Sequence, residues 1–239
     1  MPYSLAQLIY FFTIYSFLGW VVEVVYALAD TKKFVNRGFL FGPFCPIYGF
    51  GILSLIILLH PLSYHPIPIF VGTVIITSTI EYFTGFILDK IFHTHWWDYS
   101  QEKFNINGYI CLRFSLYWGI FGTFLFYFIH PHIHNLVLNL DKFYWLPTLI
   151  IAYFSIDFIF TLKPLIKIKS IYKNFNKIKK HYLNTLEEFR QHNLDLPDFK
   201  DIKKDFRKHQ KLLRQKIKKF HLVKAFPKIS SPANSTSKK

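Results

Sequence analysis

Cysteine and methionine are scarce in this 239-residue chain, which has 2 of the first and 1 of the second. Cys45 and Cys111 both fall where we expect the cytoplasmic side of a membrane, a reducing compartment in which a disulfide is not expected. The run CPIYG around Cys45 offers none of the further ligands that a zinc site needs. Both thiols are therefore interpreted as small packing residues.

The chain also lacks the short motifs of several enzyme classes. It has no Walker A loop, no G-x-S-x-G elbow, no H-E-x-x-H pair and no dinucleotide fingerprint. Any ATP hydrolysis would need another chain, and no cofactor or metal is expected. The first apolar run starts at Ser4 with no basic region before it and no small-residue cleavage site, which favours a retained helix over a signal peptide.

Charge is rare in five apolar stretches, each interpreted as a membrane span. The spans run over Ser4–Ala29, Phe44–His60, Ile67–Phe92, Gly108–Ile129 and Tyr144–Leu162. The predicted fold is therefore an all-α, polytopic helix bundle occupying residues 1–163. The second span is the shortest and contains two glycines, which predicts a tilted or irregular helix.

Acidic residues are too few to balance the basic ones, and the imbalance is local. Residues 1–163 hold eight Lys/Arg and eight Asp/Glu, whereas residues 164–239 hold twenty-one and six. Basic segments stay on the cytoplasmic side, which puts the C-terminus inside and, with five spans, the N-terminus outside. The loops at 30–43 and 93–107 would be inside, and those at 61–66 and 130–143 outside.

An internal repeat is suggested by two shifts of the sequence. With a shift of seventy residues, 38–61 aligns with 108–131 and places Tyr48 opposite Trp118; with a shift of fifty-eight, Glu23 aligns with Glu81. The units, about 4–66 and 67–135, are each helix, loop and helix in the same orientation, as in parallel-repeat transporters. Substrate sites in such proteins lie between the repeats.

Two acids inside predicted spans, Glu23 and Glu81, are the main candidates for function. A carboxylate at membrane depth costs a few kcal/mol on insertion scales, roughly, so it usually has a role. At ~1.5 Å per residue they would lie roughly 9 and 16 Å below the inner surface. Asp157 and Arg113 also fall in the cytoplasmic half. The cluster could line a cavity for a substrate, ion or proton, or Arg113 could neutralise a glutamate and lock the helices.

Residues in both inside loops complete the candidate site. Asn36 and Arg37 open the glycine- and proline-rich run NRGFLFGPFCPIYGFG, which could present backbone groups to a ligand or form a tight loop. Arg37 could hold an anionic group or serve as a positive-inside anchor. In HTHWWDYS, His93 and His95 with Asp98 could bind a metal, or a His with Asp98 could move protons. Trp96, Trp97 and Tyr99 are typical of an interfacial aromatic belt, and the loop could instead form a lid that stacks on a ligand. Asn107 is interpreted as part of a turn into the fourth helix.

Histidines gather on the predicted outer side. The run HPHIH could bind a transition metal or sense acid pH. The simpler interpretation is that His60-Pro61 and His130-Pro131 stop two helices, with a wet loop between them.

The basic segment 164–226 shows helical spacing twice, over 168–189 and 199–220, and predicts two amphipathic helices. They could pack on each other, lie on anionic lipid headgroups or bind a partner, and nucleic acid is the less favoured ligand. Residues 227–239 are expected to be disordered.

The runs FLGWVVEVVYAL, NRGFLFGPFCPIYGFG and EYFTGFILDKIFHTHWWDYS…FNINGYICLRFSLYWG resemble the bacterial membrane family named "putative ABC-transporter type IV" (CmpB-like) over most of 5–135. The resemblance implies a multi-pass protein of the bacterial plasma membrane and, by its name, a permease. The motif positions it implies are Glu23, Asn36, Arg37, Gly38, Gly42, Pro43, Tyr48, Gly49, Glu81, Trp96, Trp97, Asp98, Tyr99, Asn107 and Gly108.

Three functional hypotheses follow. The first is a permease-like protein, the membrane subunit of a transporter that works with a separate cytoplasmic ATPase, in which Arg37 or Arg113 is the counter-charge of the glutamates. The second is a membrane enzyme acting on a lipid or isoprenoid substrate through Glu81, His93, His95 or Asp98. The third is a non-catalytic scaffold or sensor that acts through its basic tail. Oligomeric state and substrate are left open by the sequence.

Overall fold

The computed structural model describes residues 3–92 and 96–192, together with 204, 211 and 212. Its described part is mostly helical. The helices are α1 (Leu5–Thr31), α2 (Pro46–Leu58), α3 (Pro66–Phe92), α4 (Leu112–Phe124), α5 (His130–Leu140) and α6 (Leu146–His192), with a short 3-10 turn at His60–Leu62. A two-stranded antiparallel hairpin, β1 (Asn105–Ile106) and β2 (Ile110–Cys111), precedes α4.

Within the described residues, four helical segments are long and apolar enough to cross a membrane: Leu5–Thr31, Pro66–Ile91, Leu112–Leu140 and Leu146–Lys167. The predicted all-α, multi-pass membrane fold is therefore confirmed. The predicted second span is the exception, because α2 has only 13 residues. At ~1.5 Å per residue it extends about 20 Å, less than the hydrocarbon thickness.

The expectation that His130-Pro131 ends a helix is wrong. A π-helical turn at Leu125–Ile129 joins α4 to α5, and the backbone N–H of His130 donates to the carbonyl of Leu125. This wider turn accommodates the proline, which has no N–H to donate. The predicted outer loop 130–143 is consequently helical as far as Leu140. At His60-Pro61, by contrast, α2 has already ended.

Tertiary contacts of His130 explain why the helix continues. His130 is 7% exposed, and both ring nitrogens have a tyrosine hydroxyl as partner: Tyr3 at 3.0 Å from Nε2 and Tyr15 at 2.8 Å from Nδ1. A buried histidine that is satisfied on both sides fixes the position of this turn against α1. The sequence pattern around the His-Pro pair contains no sign of these distant partners.

In each helical hairpin, one helix packs a phenylalanine ring against a glycine of the other helix. A Cβ on Gly49 would collide with Phe12 across α1 and α2, and a Cβ on Gly119 would collide with Phe70 across α3 and α4. These four residues are equivalent in the two predicted repeat units, since Phe12 aligns with Phe70 and Gly49 with Gly119. The matching contacts support the hypothesis of a duplicated unit.

The two loops between paired helices lie on the same side of the bundle. The first loop (residues 32–45) joins α1 to α2, and the second loop (residues 93–111, described from Trp96) joins α3 to α4. Phe39 and Trp96 bring them together, with ring centroids 5.8 Å apart. His93 and His95, which belong to the metal and enzyme hypotheses, lie outside the described residues.

Helix α6 runs for 47 residues and includes Pro164 in its interior. Its membrane-spanning part ends at Lys167, and its remainder coincides with the first predicted amphipathic helix, 168–189. The second predicted helix, 199–220, has only residues 204, 211 and 212 among those described. The segment 227–239 lies outside them.

Candidate intramembrane acidic site

Glu23 on α1 has a complete set of partners. Tyr48 on α2 donates its hydroxyl to Oε1 at 2.8 Å, and Nε of Arg37 lies 3.4 Å from Oε2. The guanidinium of Arg37 also stands over the ring of Tyr26, 5.5 Å from its centroid. The side chains of Arg37 and Glu23 are 24% and 27% exposed, so this ion pair is shielded from most of its solvent. We interpret it as an anchor between α1, α2 and the first loop.

Glu81 on α3 has a different environment. Tyr99 of the second loop donates its hydroxyl to Oε1 at 3.1 Å, and the indole of Trp118 also faces the carboxylate. Oε2 is buried, and within the described ranges it has no hydrogen-bond partner. No basic side chain in that part of the chain forms an ion pair with Glu81. Among the described residues, the donors that hold the second acid are therefore neutral.

Aromatic rings connect the two acids. The rings of Tyr48 and Trp118 meet edge to face with centroids 5.7 Å apart. Tyr48 and Trp118 are equivalent positions of the two predicted repeat units. If an axis relates the two units, two equivalent residues that touch must lie beside it. The chain of contacts runs Glu23, Tyr48, Trp118, Glu81. We call these four residues, with Arg37 and Tyr99, the two-acid site.

The second loop brings Tyr99 to Glu81. The ring of Tyr99 stacks on that of Phe114, with centroids 4.8 Å apart and an interplanar angle of 18°. The backbone N–H of Tyr99 donates to the carbonyl of Gly108 at 2.9 Å. Burial is the main cause that raises the pKa of Tyr99 above its ordinary value, and its bond to the nearby acid adds to this. The hydroxyl therefore remains a donor throughout the physiological range.

In their described contacts, the predicted second-loop residues Trp97, Asp98 and Asn107 shape this loop. Trp97 donates from Nε1 to the carbonyl of Tyr109 at 2.8 Å. Oδ1 of Asp98 accepts from the N–H of Ser100 at 2.9 Å, and Asp98 is exposed. Asn107 has φ of 53° at the hairpin turn, a left-handed conformation that asparagine tolerates, and its amide donates to the hydroxyl of Tyr82 at 3.0 Å.

Asn36 organises the loop that carries Arg37. Its Oδ1 accepts from the indole N–H of Trp20 at 2.7 Å and from the N–H of Gly38 at 3.0 Å, while its Nδ2 donates to the carbonyl of Phe41 at 3.2 Å. Trp20 was not among the predicted site residues. It lies one turn before Glu23 on α1, so helical spacing could have identified it.

Asp157 anchors the first loop and is separate from the glutamates. Its Oδ1 accepts from the N–H of Phe41 at 2.8 Å and its Oδ2 from the N–H of Gly42 at 2.9 Å. Thr161, one turn later on α6, also accepts from the N–H of Phe41 at 3.2 Å. Asp157 is 6% exposed, and the described contacts of its carboxylate are with this loop and with α6. The hypothesis that it shares one pocket with Glu23 and Glu81 gains no support from this position.

Arg113 also lies apart from the glutamates. Its Nη1 is 3.8 Å from Glu102, its Nε donates to the hydroxyl of Tyr117 at 3.2 Å, and its side chain is 61% exposed. Of the two counter-charges considered, Arg37 occupies that position in the described structure. Arg113 follows the start of the fourth predicted span, but its side chain points back toward the second loop.

No group of three or more His, Cys, Asp or Glu side chains that could hold a metal ion occurs among the described residues. Cys45 and Cys111 are buried thiols. Burial raises the pKa of the Cys45 thiol to about 12, with a smaller contribution from the charge of Glu23.

Residues 10–162 match the model of the family described as "Putative ABC-transporter type IV". The chain belongs to this family. The match covers all of the two-acid site and ends within the membrane part of α6. No curated protein and no solved structure shows significant similarity to the chain.

Proposed function

We propose that this family member is the membrane subunit of a transport system and that the two-acid site binds a cationic group: an ion, a proton or the positive part of a substrate. The observation that carries the proposal is Glu81, a carboxylate between Tyr99 and Trp118 with no basic partner among the described residues. A lone charge in such surroundings costs several kcal/mol, roughly, and a bound cation offsets that cost.

The asymmetry between the acids supports this assignment. Glu23 already has Arg37 as counter-charge, so it serves as a structural anchor, whereas Glu81 retains an unused oxygen. The two-acid site lies where the two hairpins contact each other, and substrate sites of repeat transporters commonly form at such interfaces.

A separate subunit would supply the energy. The sequence contains no Walker A motif, and the family name refers to ABC transporters. An ATPase would meet the side of the protein that carries both loops and the basic part of α6. The excess of Lys and Arg after residue 163 favours this side as the cytoplasmic one of the bacterial plasma membrane.

The proposal is tested by ligand-dependent stability of the purified protein in detergent. The melting temperature is measured with sodium, potassium, choline and spermidine, for the wild-type chain and for Glu81→Gln. We expect at least one cation to raise the melting temperature of the wild type and not that of the variant. Glu102→Gln, which alters an acid outside the site, is the matched control and should retain the shift. Equal shifts in Glu81→Gln and the wild type would refute the proposal.

A further inference from the structure

An apolar groove lies between α6 and the first loop, apart from the two-acid site. It has a volume of about 420 Å³ and is lined by Phe41, Gly42, Tyr153, Ile156, Asp157 and Phe160. The large side chains in it are half uncovered: Phe41 is 52% exposed, Ile156 57% and Phe160 56%. The groove is thus a concave apolar surface at the end of a membrane span.

The acid in this groove is already satisfied. Both carboxylate oxygens of Asp157 accept from backbone N–H groups of the first loop, and Asp157 is 6% exposed. It therefore fixes the wall of the groove and leaves the apolar side chains as the exposed surface. Gly42 packs closely in that wall, because a Cβ there would collide with the hydroxyl of Tyr153 unless that side chain moved.

Basic residues continue the same face of α6 beyond the groove. Tyr153, Ile156 and Phe160 recur at helical spacing, and Lys163 and Lys167 follow at three and seven residues after Phe160. Nζ of Lys163 lies 5.4 Å from the centroid of the Phe160 ring, at the end of the groove. Both lysines are exposed, and the membrane-spanning part of the helix ends at Lys167.

We propose that this groove binds one anionic phospholipid, with an acyl chain along Phe41, Ile156 and Phe160 and the phosphate on Lys163 and Lys167. Apolar surface at acyl-chain depth and ammonium groups at headgroup depth complement these two parts of one lipid. A bound lipid would also brace the first loop from outside, at the point where Asp157 anchors it. The site does not depend on the proposed transport role.

Native mass spectrometry of the full chain, released from nanodiscs of phosphatidylglycerol and phosphatidylcholine, tests the proposal. We expect one phosphatidylglycerol to be retained in preference to phosphatidylcholine. The variant Lys163→Gln/Lys167→Gln should lose roughly 10- to 30-fold in affinity for it, given the usual contribution of basic residues at an anionic surface. Lys177→Gln/Lys180→Gln, which removes two exposed lysines further along the same helix, should retain it.

A second variant tests the acyl-chain half of the groove. Ile156→Trp would fill the space between α6 and Phe41 and should reduce retention of both lipids, with the melting temperature of the delipidated protein as a check of folding. Equal losses in the two lysine pairs would show diffuse attraction to the basic helix and overturn the proposal. Equal retention of both lipids by all variants would overturn it as well.

Discussion

Replacing each acid of the two-acid site by glutamine should separate a structural carboxylate from a functional one. Glu23→Gln retains an acceptor for the hydroxyl of Tyr48 but removes the charge 3.4 Å from Arg37. The Glu23–Arg37 pair is about one-quarter exposed. Surface ion pairs contribute about 0–1 kcal/mol, whereas breaking a buried pair costs about 3–5 kcal/mol, and this pair should fall between the two. We expect a loss of about 1–3 kcal/mol.

Glu81→Gln should behave differently. The amide oxygen of glutamine can still accept from Tyr99, and the variant removes a charge that has no ionic partner among the described residues. Eliminating an uncompensated charge is neutral or stabilising, so the free energy of unfolding should change by less than about 1 kcal/mol.

Thermal unfolding of the detergent-solubilised variants measures the difference. A loss of about 1–3 kcal/mol corresponds to a fall in melting temperature of roughly 2–10 °C for Glu23→Gln. Arg37→Gln and the double variant complete a double-mutant cycle, in which the double variant should lose less stability than the sum of the two single losses. If Glu81→Gln destabilises the protein as much as Glu23→Gln does, both acids are structural and the asymmetry argued here is wrong.

Three further predictions concern the framework. Asp157→Asn should lower stability by about 1–3 kcal/mol, since charge-assisted hydrogen bonds to Phe41 and Gly42 are weakened; limited proteolysis of the first loop should accelerate, and unchanged cleavage would contradict the anchoring role. Gly49→Ala and Gly119→Ala should each be destabilising, by about 1–3 kcal/mol, because a Cβ at either position collides with a phenylalanine ring, whereas Gly51→Ala, which faces open space, should not. Cys45, whose pKa is raised from 9.0 to about 12, should resist alkylation at pH 8.5 in the folded protein and react on unfolding; equal rates in both states would contradict its burial.

Local patterns in the sequence predicted the membrane helices and several of their polar contacts. Long apolar runs identify spans directly, and Glu23 could be found because an acid within such a run is costly. Arg37 could be predicted as the counter-charge of Glu23, because it lies in the loop that follows the helix carrying that acid. The repeat alignment paired Tyr48 with Trp118, and this pairing points to the contact between their rings.

Long-range partners explain the errors. The helix continues through His130-Pro131 because Tyr3 and Tyr15, more than one hundred residues away, hold the histidine. Its position in the fifth predicted span puts Asp157 at an expected depth similar to that of Glu23, but depth alone does not determine which loop a side chain faces. Arg113 follows the start of a helix, yet its pair with Glu102 depends on the path of the second loop.

Cross-linking between the two hairpins tests the central claim that both acids belong to one site. Tyr48 and Trp118, whose ring centroids lie 5.7 Å apart, are each replaced by cysteine. The native Cys45 and Cys111 are replaced by serine in the same chain. We expect rapid closure by a short thiol-specific cross-linker in membranes, and little with Gly51→Cys in place of Tyr48→Cys. If the 48–118 pair reacts no faster than the 51–118 pair, Glu23 and Glu81 do not share a site.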